Sequence, residues 1–188
     1  GQPNKLSCIS RPRRFGKSYA AQMLCAYYCV GCDSASLFDD LEIARDETYR
    51  EHLNQYNLLV LDIADIIGKS SPSEMLSYIT DVVSEEIYEQ YPNVNKAKSL
   101  PDLILNAVEL SGRKFIAVID EWDAPMRDKD CTASMQKAYL NFLRSLFKSI
   151  SVTDKIFAAA YMTGILPIKK DGSQSAISDF REYTMIKP

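Results

Sequence analysis

Three consecutive residues, Gly16, Lys17 and Ser18, stand between a short apolar run and a helical pattern. They fit the second half of the phosphate-binding pattern Gly-x-x-x-x-Gly-Lys-Ser/Thr. In such a loop the backbone N–H groups and the positive end of the following helix surround phosphates. The lysine reaches the phosphate oxygens and the hydroxyl binds Mg²⁺. Arg11 stands where the first glycine of the pattern belongs, so the chain matches only part of it.

The surroundings of this tripeptide decide its interpretation. Gly-Lys-Ser alone is also typical of a surface turn with a solvated lysine. Here an apolar strand pattern precedes it, and a helix is predicted to begin at Ser18 or Tyr19. We therefore predict a phosphate-binding loop, in which Lys17 acts in catalysis as well as in binding. The predicted nucleotide contacts are Arg13, Arg14, Phe15, Gly16, Lys17, Ser18 and Tyr19. Arg13 and Arg14 are equally consistent with solvated loop cations.

A second motif is the apolar run of residues 115–119, which ends in Asp120 and Glu121. In many phosphate-loop ATPases the aspartate at this place helps to hold Mg²⁺, and the glutamate orients or deprotonates the attacking water. Strands also end in acids simply because the chain leaves the sheet into solvent. Two adjacent acids in a chain with Gly-Lys-Ser favour the functional interpretation. We predict Ser18 and Asp120 as metal ligands and Glu121 as a catalytic residue. Asp62, which ends another apolar run without a neighbouring glutamate, is the second candidate.

A third motif is the apolar run of residues 156–162, which ends at Thr163-Gly164. A polar residue at the tip of a core strand would face the γ-phosphate, so we predict that Thr163 senses its presence and contributes to catalysis. A fifth strand is predicted over residues 183–186 after a polar loop.

Apolar runs alternate with helical patterns along the chain. The alternation predicts an α/β fold, a mainly parallel five-stranded sheet with right-handed crossovers and flanking helices, whose loops at the strand carboxyl ends meet around a ligand. Residues 58–63 form a continuous apolar run of the kind found in strands covered on both faces. The predicted helices cover residues 19–30 (apolar on nearly every side), about 70–91, 99–110, and a segment from Asp123 and Pro125 through Phe147.

The composition of the 188-residue chain is that of an ordinary globular protein. It is 46% hydrophobic and 25% charged, with a formal charge of −3 and a pI of about 5.3. This balance argues against a domain that mainly coats nucleic acid, because such domains are usually basic. No apolar run approaches the length of a bilayer crossing and no secretory pattern is present, so we expect a cytoplasmic protein without membrane contact.

The five cysteines and the single histidine are assigned no chemistry. An odd number of cysteines in a chain of this length predicts mostly free thiols. Cys25, Cys29 and Cys32 could suggest zinc, but no fourth ligand is near in sequence, and small thiol side chains suit a tightly packed helix. His52 lies among charged residues and has no serine or cysteine motif to activate.

Residues 10–18, 119–124 and 161–168, with the tail 180–185, resemble the bacterial predicted AAA-ATPase family. Arg11 departs from the general phosphate loop but agrees with this family. The resemblance implies an AAA-like or related signal-transducing ATPase core with the three-layer P-loop NTPase architecture. It also implies that residues 1–188 form a single ATPase domain and a fragment of a longer protein. Family members often carry a nuclease-like domain after the ATPase domain, and nothing in this chain corresponds to one.

Two hypotheses stay open at this stage. The first is a Mg²⁺-dependent ATPase, with ATP and Mg²⁺ as cofactors. The second is a switch or scaffold that binds ATP or ADP with little or no hydrolysis and regulates an attached nuclease-like domain, in an oligomer or with a protein partner. A GTPase is disfavoured because Asn95-Lys96-Ala97-Lys98 lacks the aspartate that pairs with guanine. Direct nucleic-acid binding by this domain is not expected, because we assign the cations of the loop to the binding of nucleotide phosphates.

Overall fold

Five parallel strands form one sheet in the order β2-β3-β4-β1-β5. The computed structural model describes residues 5–10, 16–148, 150–168 and 179–184. The strands are β1 (Leu6–Ser10), β2 (Asn57–Asp62), β3 (Phe115–Asp120), β4 (Phe157–Gly164) and β5 (Arg181–Thr184). The predicted α/β class with a parallel five-stranded sheet is therefore confirmed.

Helices connect the strands and cover both faces of the sheet. They are α1 (Lys17–Tyr28), α2 (Ala35–Phe38), a 3₁₀ helix (Glu42–Arg45), α3 (Tyr49–His52), α4 (Ile63–Lys69), α5 (Met75–Gln90), α6 (Leu100–Ser111), α7 (Ala124–Arg127), α8 (Ala133–Phe147) and α9 (Ile150–Ile156). Within the described residues, none of these helices combines the length and apolar composition that a bilayer crossing requires.

The interior strand β3, between β2 and β4, shows how the layers are built. All six of its residues are buried, and because side chains alternate across a strand they serve two different cores. Ile116 and Val118 pack with Ala21 of α1 on one face. Ala117 and Ile119 belong to the main core on the other face, which α5, α6 and α8 complete. The result is the predicted three-layer arrangement of helix, sheet and helix.

Two elements are less covered than their composition predicts. Strand β2 lies at an edge of the sheet and alternates between buried and more exposed positions, with Val60 53% exposed. Helix α1 buries only Ala21 and Tyr27, whereas Tyr19 is 69% exposed. Apolar composition reports what a side chain tolerates, but the order of the strands decides which faces receive a covering layer.

Several predicted helix boundaries shift in the structure. Helix α5 begins at Met75, after the Ser- and Pro-containing segment that was expected to open it. The helix predicted from Asp123 through Phe147 is two helices, because Thr132 begins α8 by accepting a hydrogen bond from the Met135 N–H at 3.3 Å. Helix α6 keeps its predicted cap at Ser99.

The edge strand β5 covers Arg181–Thr184 rather than the predicted residues 183–186, of which 185 and 186 lie outside the described residues. Glu182 stabilises this end of the sheet. Its Oε1 accepts hydrogen bonds from the Ser10 hydroxyl at 2.8 Å and from the Ile168 N–H at 3.0 Å. These contacts join β5 to the end of β1 and to the segment after β4.

The strand order brings the three sequence motifs to one edge of the sheet. Strand β4 lies between β1 and β3, with Ile9 opposite Thr163 and Ile119 opposite Met162. Because all strands run in the same direction, the carboxyl ends of β1, β3 and β4 lie at the same edge of the sheet. The parallel topology therefore places residues from distant parts of the chain next to one another.

The tip of β4 is tightly packed, which gives a test of the fold. A Cβ built on Gly164 would lie 2.5 Å from Trp122 Nε1, whereas one on Gly68 of α4 would meet nothing within 4 Å. We expect Gly164→Ala to lower the free energy of unfolding by about 1–3 kcal/mol because the added methyl overpacks the core. Gly68→Ala is the control and should be neutral or slightly stabilising. Urea unfolding of both variants makes the comparison, and equal stability would contradict the packing described here.

Candidate functional site

The amino end of α1 presents backbone N–H groups at the carboxyl edge of the sheet. Gly16 precedes the helix with φ 71°, a left-handed conformation that favours glycine. No side-chain cap and no acidic residue in the first turn engages these N–H groups within the described structure. The first N–H groups of a helix have no intrahelical partners, and they carry the positive end of the helix dipole. This end of α1 therefore suits an anion.

Ser18 and Asp120 meet although 102 residues separate them. The Ser18 hydroxyl, in the first turn of α1, donates a hydrogen bond to Asp120 Oδ2 at 2.5 Å. Asp120 ends β3 and is 8% exposed. The contact joins the phosphate-loop motif to the strand that carries the acidic pair.

Thr163 completes the surroundings of this carboxylate. It is fully buried near the end of β4, and its hydroxyl donates a short hydrogen bond to Asp120 Oδ1. The Glu121 N–H also reaches Asp120 Oδ1, at 3.0 Å, and lies 3.3 Å from the Thr163 hydroxyl oxygen. Asp120 therefore accepts hydrogen bonds from α1, from β4 and from its own strand exit.

The oxygen atoms of Asp120 and its neighbour Ser18 are suitable ligands for a magnesium ion. Mg²⁺ prefers oxygen ligands and is commonly bound by one or two protein groups together with phosphates and water. A hydroxyl oxygen and a carboxylate oxygen lie in direct contact here, at an open helix end that suits the phosphates. Among the described residues, no group of three or more His, Cys, Asp or Glu side chains could hold a metal by itself. Ser18 and Asp120 fit a metal that arrives with a nucleotide.

Glu121 follows on an unusual backbone. Its φ of 49° puts a non-glycine residue in the left-handed region, which costs of order 1–3 kcal/mol unless the surroundings hold it. The Trp122 N–H donates to the Thr163 carbonyl at 2.9 Å and helps to hold this turn. The Glu121 side chain is 34% exposed and its Oε2 lies 2.7 Å from Arg127 Nη2. The predicted catalytic carboxylate is therefore close to Asp120 in the chain and ion-paired to α7.

Arg127 is the residue of this site that the motifs did not identify, and its partner Asp123 was predicted only as the entry of a helix. Asp123 is fully buried, and its Oδ2 accepts hydrogen bonds from Arg127 Nε at 3.0 Å and from the Ile165 and Leu166 N–H groups at 3.1 and 2.9 Å. Burial opposes the charge on Arg127, but the hydrogen bonds and charges of Glu121 and Asp123 outweigh it and raise the pKa of the guanidinium. The i,i+4 spacing of Asp123 and Arg127 was the available sequence signal.

Asp62, the rival to Asp120, lies beside it in the register of β2 and β3. Its Oδ1 accepts a hydrogen bond from the Asp65 N–H at 3.0 Å and so caps α4. Asp62, Asp120 and Ser18 line the same cavity of about 280 Å³. Asp62 is therefore near the site, but its carboxylate has a structural partner of its own.

The remaining predicted contacts differ in what can be described. Lys17 is the first residue of α1 and is half-buried. Tyr19 follows in the same turn, and in the described structure it makes no hydrogen bond to Ser18 or Asp120. Arg13, Arg14 and Phe15 lie outside the described residues.

Residues that were assigned no chemistry have structural contacts. His52 Nδ1 lies 2.7 Å from the Tyr56 hydroxyl, and the two rings stack. The predicted free thiols are confirmed, because all five cysteines are unpaired: Cys8, Cys25, Cys29, Cys32 and Cys131.

Comparisons with known proteins identify one family. A family model described as Predicted AAA-ATPase matches residues 2–173. No curated protein sequence matches the chain. A solved structure of the Aeropyrum pernix ORC2 protein, in ADPNP–ADP complexes, is 12% identical and has a TM-score of 0.34. That alignment covers 97% of this chain and 50% of the ORC2 chain, so the chain spans half the length of that protein.

The buried carboxylate of Asp120 gives a stability test that needs no nucleotide. Thr163→Val keeps the shape of the side chain but removes a hydroxyl that donates to Asp120. We expect a loss of about 1–3 kcal/mol in the free energy of unfolding, because a buried carboxylate oxygen loses one of its two donors. Thr163→Ser keeps the hydroxyl and should retain most of that stability. Urea unfolding followed by the fluorescence of Trp122, the single tryptophan, gives the values. If valine and serine are equally tolerated, the hydrogen bond does not stabilise the site.

Proposed function

The chain belongs to the predicted AAA-ATPase family, and from this premise we propose that it binds ATP at the amino end of α1 and hydrolyses it with Mg²⁺. The observation that carries the proposal is the 2.5 Å contact between Ser18 and Asp120 beside the open helix end. A hydroxyl that follows Gly-Lys and a carboxylate at a neighbouring strand tip are the protein ligands expected for a nucleotide-bound magnesium ion.

Each residue has a role that its position supports. Lys17 and the first N–H groups of α1 bind the phosphates, as helix ends and lysines do in phosphate loops. Ser18 and Asp120 hold Mg²⁺, which when bound neutralises charge on the phosphates. Thr163, whose hydroxyl donates to Asp120, senses the presence of the γ-phosphate. Glu121 orients the attacking water.

The other predicted contacts belong to the same proposal. In this proposal Arg13, Arg14 and Phe15 bind the phosphates through cations and backbone N–H groups, Gly16 allows the left-handed turn, and Tyr19 contacts the nucleotide from the first turn of α1. The cytoplasmic location and the bacterial source inferred from the sequence stay predictions.

One observation favours the second candidate, a nucleotide-dependent switch. The Ser18 hydroxyl donates to Asp120, and Asp120 is also hydrogen-bonded to Thr163 on β4. A metal ion bound by Ser18 and Asp120 would replace their mutual hydrogen bond and so alter the contact between α1 and the sheet. Binding alone could then change the conformation seen by a protein partner, by an oligomer neighbour or by an attached nuclease-like domain.

Nucleotide binding is the first test. We expect a fluorescent ATP analogue to bind, and to bind more tightly with Mg²⁺ than with EDTA. Lys17→Ala should weaken binding by roughly tenfold to a hundredfold, because it removes charge-assisted hydrogen bonds to the phosphates. Lys98→Ala, at an exposed position before α6, is the control and should bind normally. Absence of binding by the unaltered protein would contradict the whole proposal.

Phosphate release separates the enzyme from the switch. We expect Glu121→Gln to bind ATP as the unaltered protein does, but to hydrolyse it roughly a hundredfold more slowly or worse, because the amide cannot accept the proton of water. Single-turnover assays with radiolabelled ATP measure the rate. Equal rates for the two proteins would remove Glu121 from the mechanism, and binding without hydrolysis by the unaltered protein would favour the switch.

A further inference from the structure

The carboxylate of Glu121 needs to be fixed before it can direct a water molecule. Its side chain is 34% exposed and has several rotatable bonds, so it could adopt several staggered conformations. A misplacement of about 1 Å in a reacting group can lower a rate by about a hundredfold. Whatever selects one conformation of Glu121 therefore contributes to any reaction that uses it.

Arg127 selects that conformation through two N–H groups of its guanidinium. Its Nη2 lies 2.7 Å from Glu121 Oε2, and its Nε lies 3.0 Å from Asp123 Oδ2. The guanidinium is planar, and the directions of its N–H groups are set by the group itself. Since Asp123 is fully buried, it holds the Nε end of the guanidinium in place. The Nη2 group then fixes the position of the Glu121 oxygen.

Asp123 extends this arrangement to the neighbouring strand. The oxygen that binds Arg127 also accepts the N–H groups of Ile165 and Leu166, directly after β4. Thr163, which donates to Asp120, lies two residues before Ile165. Glu121 and Thr163 are therefore held relative to each other by the chain of contacts through Arg127 and Asp123, as well as by their own backbone.

We propose that Arg127 is a positioning residue: it orients the Glu121 carboxylate for hydrolysis and ties it, through Asp123, to the exit of the strand that carries Thr163. This inference rests on the proposed function, because it assigns Arg127 a part in the same reaction. In this proposal Arg127 acts through Glu121 rather than on the nucleotide.

Arg127→Lys is the variant that separates this role from a structural one. The lysine ammonium keeps a positive charge near buried Asp123, so the protein is expected to fold. Its single nitrogen cannot reproduce the geometry of the two guanidinium contacts to Glu121 and Asp123. Arg50→Lys is the matched control, because Arg50 forms an equally short 2.7 Å pair with Asp39 on the surface. A paired change, Arg127→Met with Asp123→Asn, removes the buried charge of Asp123 together with its half-buried partner and gives a second folded background if the lysine variant is unstable.

The measurements are the affinity for a fluorescent ATP analogue and the single-turnover rate of ATP hydrolysis. We expect Arg127→Lys to keep the affinity within about twofold and to lower the rate by roughly tenfold to a hundredfold. In a Glu121→Gln background, Arg127→Lys should have no further effect on the rate, because the carboxylate that Arg127 positions is already absent. Arg50→Lys should leave both quantities unchanged.

Each other outcome contradicts a definite statement. If Arg127→Lys hydrolyses ATP at the normal rate or faster, or slows the Glu121→Gln protein further, Arg127 does not act by positioning Glu121. A loss of affinity equal to the loss of rate would also reject the inference, and so would nucleotide binding without any hydrolysis in the unaltered protein. If no form of the protein binds nucleotide, the proposed function itself fails.

Discussion

The site is organised around the burial of one carboxylate. Asp120 is 8% exposed, and removing a charged group from water is costly unless donors replace the lost hydration. Ser18, Thr163 and the Glu121 backbone supply those donors, and they come from α1, from β4 and from the exit of β3. The need to satisfy Asp120 therefore links the three segments that a nucleotide site of this kind requires. The Ser18 hydroxyl, one of these donors, is also a proposed magnesium ligand together with Asp120.

A second buried carboxylate lies three residues further along the chain. Asp123 is fully buried and receives N–H groups from the segment after β4 as well as from Arg127. Between the two aspartates, Glu121 occupies a left-handed backbone conformation that few residues adopt. Donors on both sides hold this turn, so the local strain is offset by hydrogen bonds on either side of it. A strained residue held in this way is typical of functional sites.

Much of this arrangement could be predicted from local sequence patterns. The runs that became β1, β3 and β4, the helix after Gly16, and the pairing of Ser18 with Asp120 all followed from motifs whose spacing has a chemical reason. The edge position of β2 and the division between α7 and α8 could not be predicted from the sequence. Composition does not indicate which neighbours cover a face of a strand or where a capping side chain separates two helices. Arg127 was missed for a related reason: a surface-type residue acquires its role only from the two acids that surround it in the fold.

The chain by itself determined the fold class. It also predicts the type of chemistry, since Gly16-Lys17-Ser18 and Asp120-Glu121 are short motifs whose functional groups are set by residue identity. Only the tertiary structure decided which groups those residues meet. The strand order β2-β3-β4-β1-β5 puts Thr163 next to Asp120, and the turn after β3 turns Glu121 toward Arg127. The physical reason is that hydrogen bonds and ion pairs depend on separations of about 3 Å, which packing of distant segments sets and sequence distance does not.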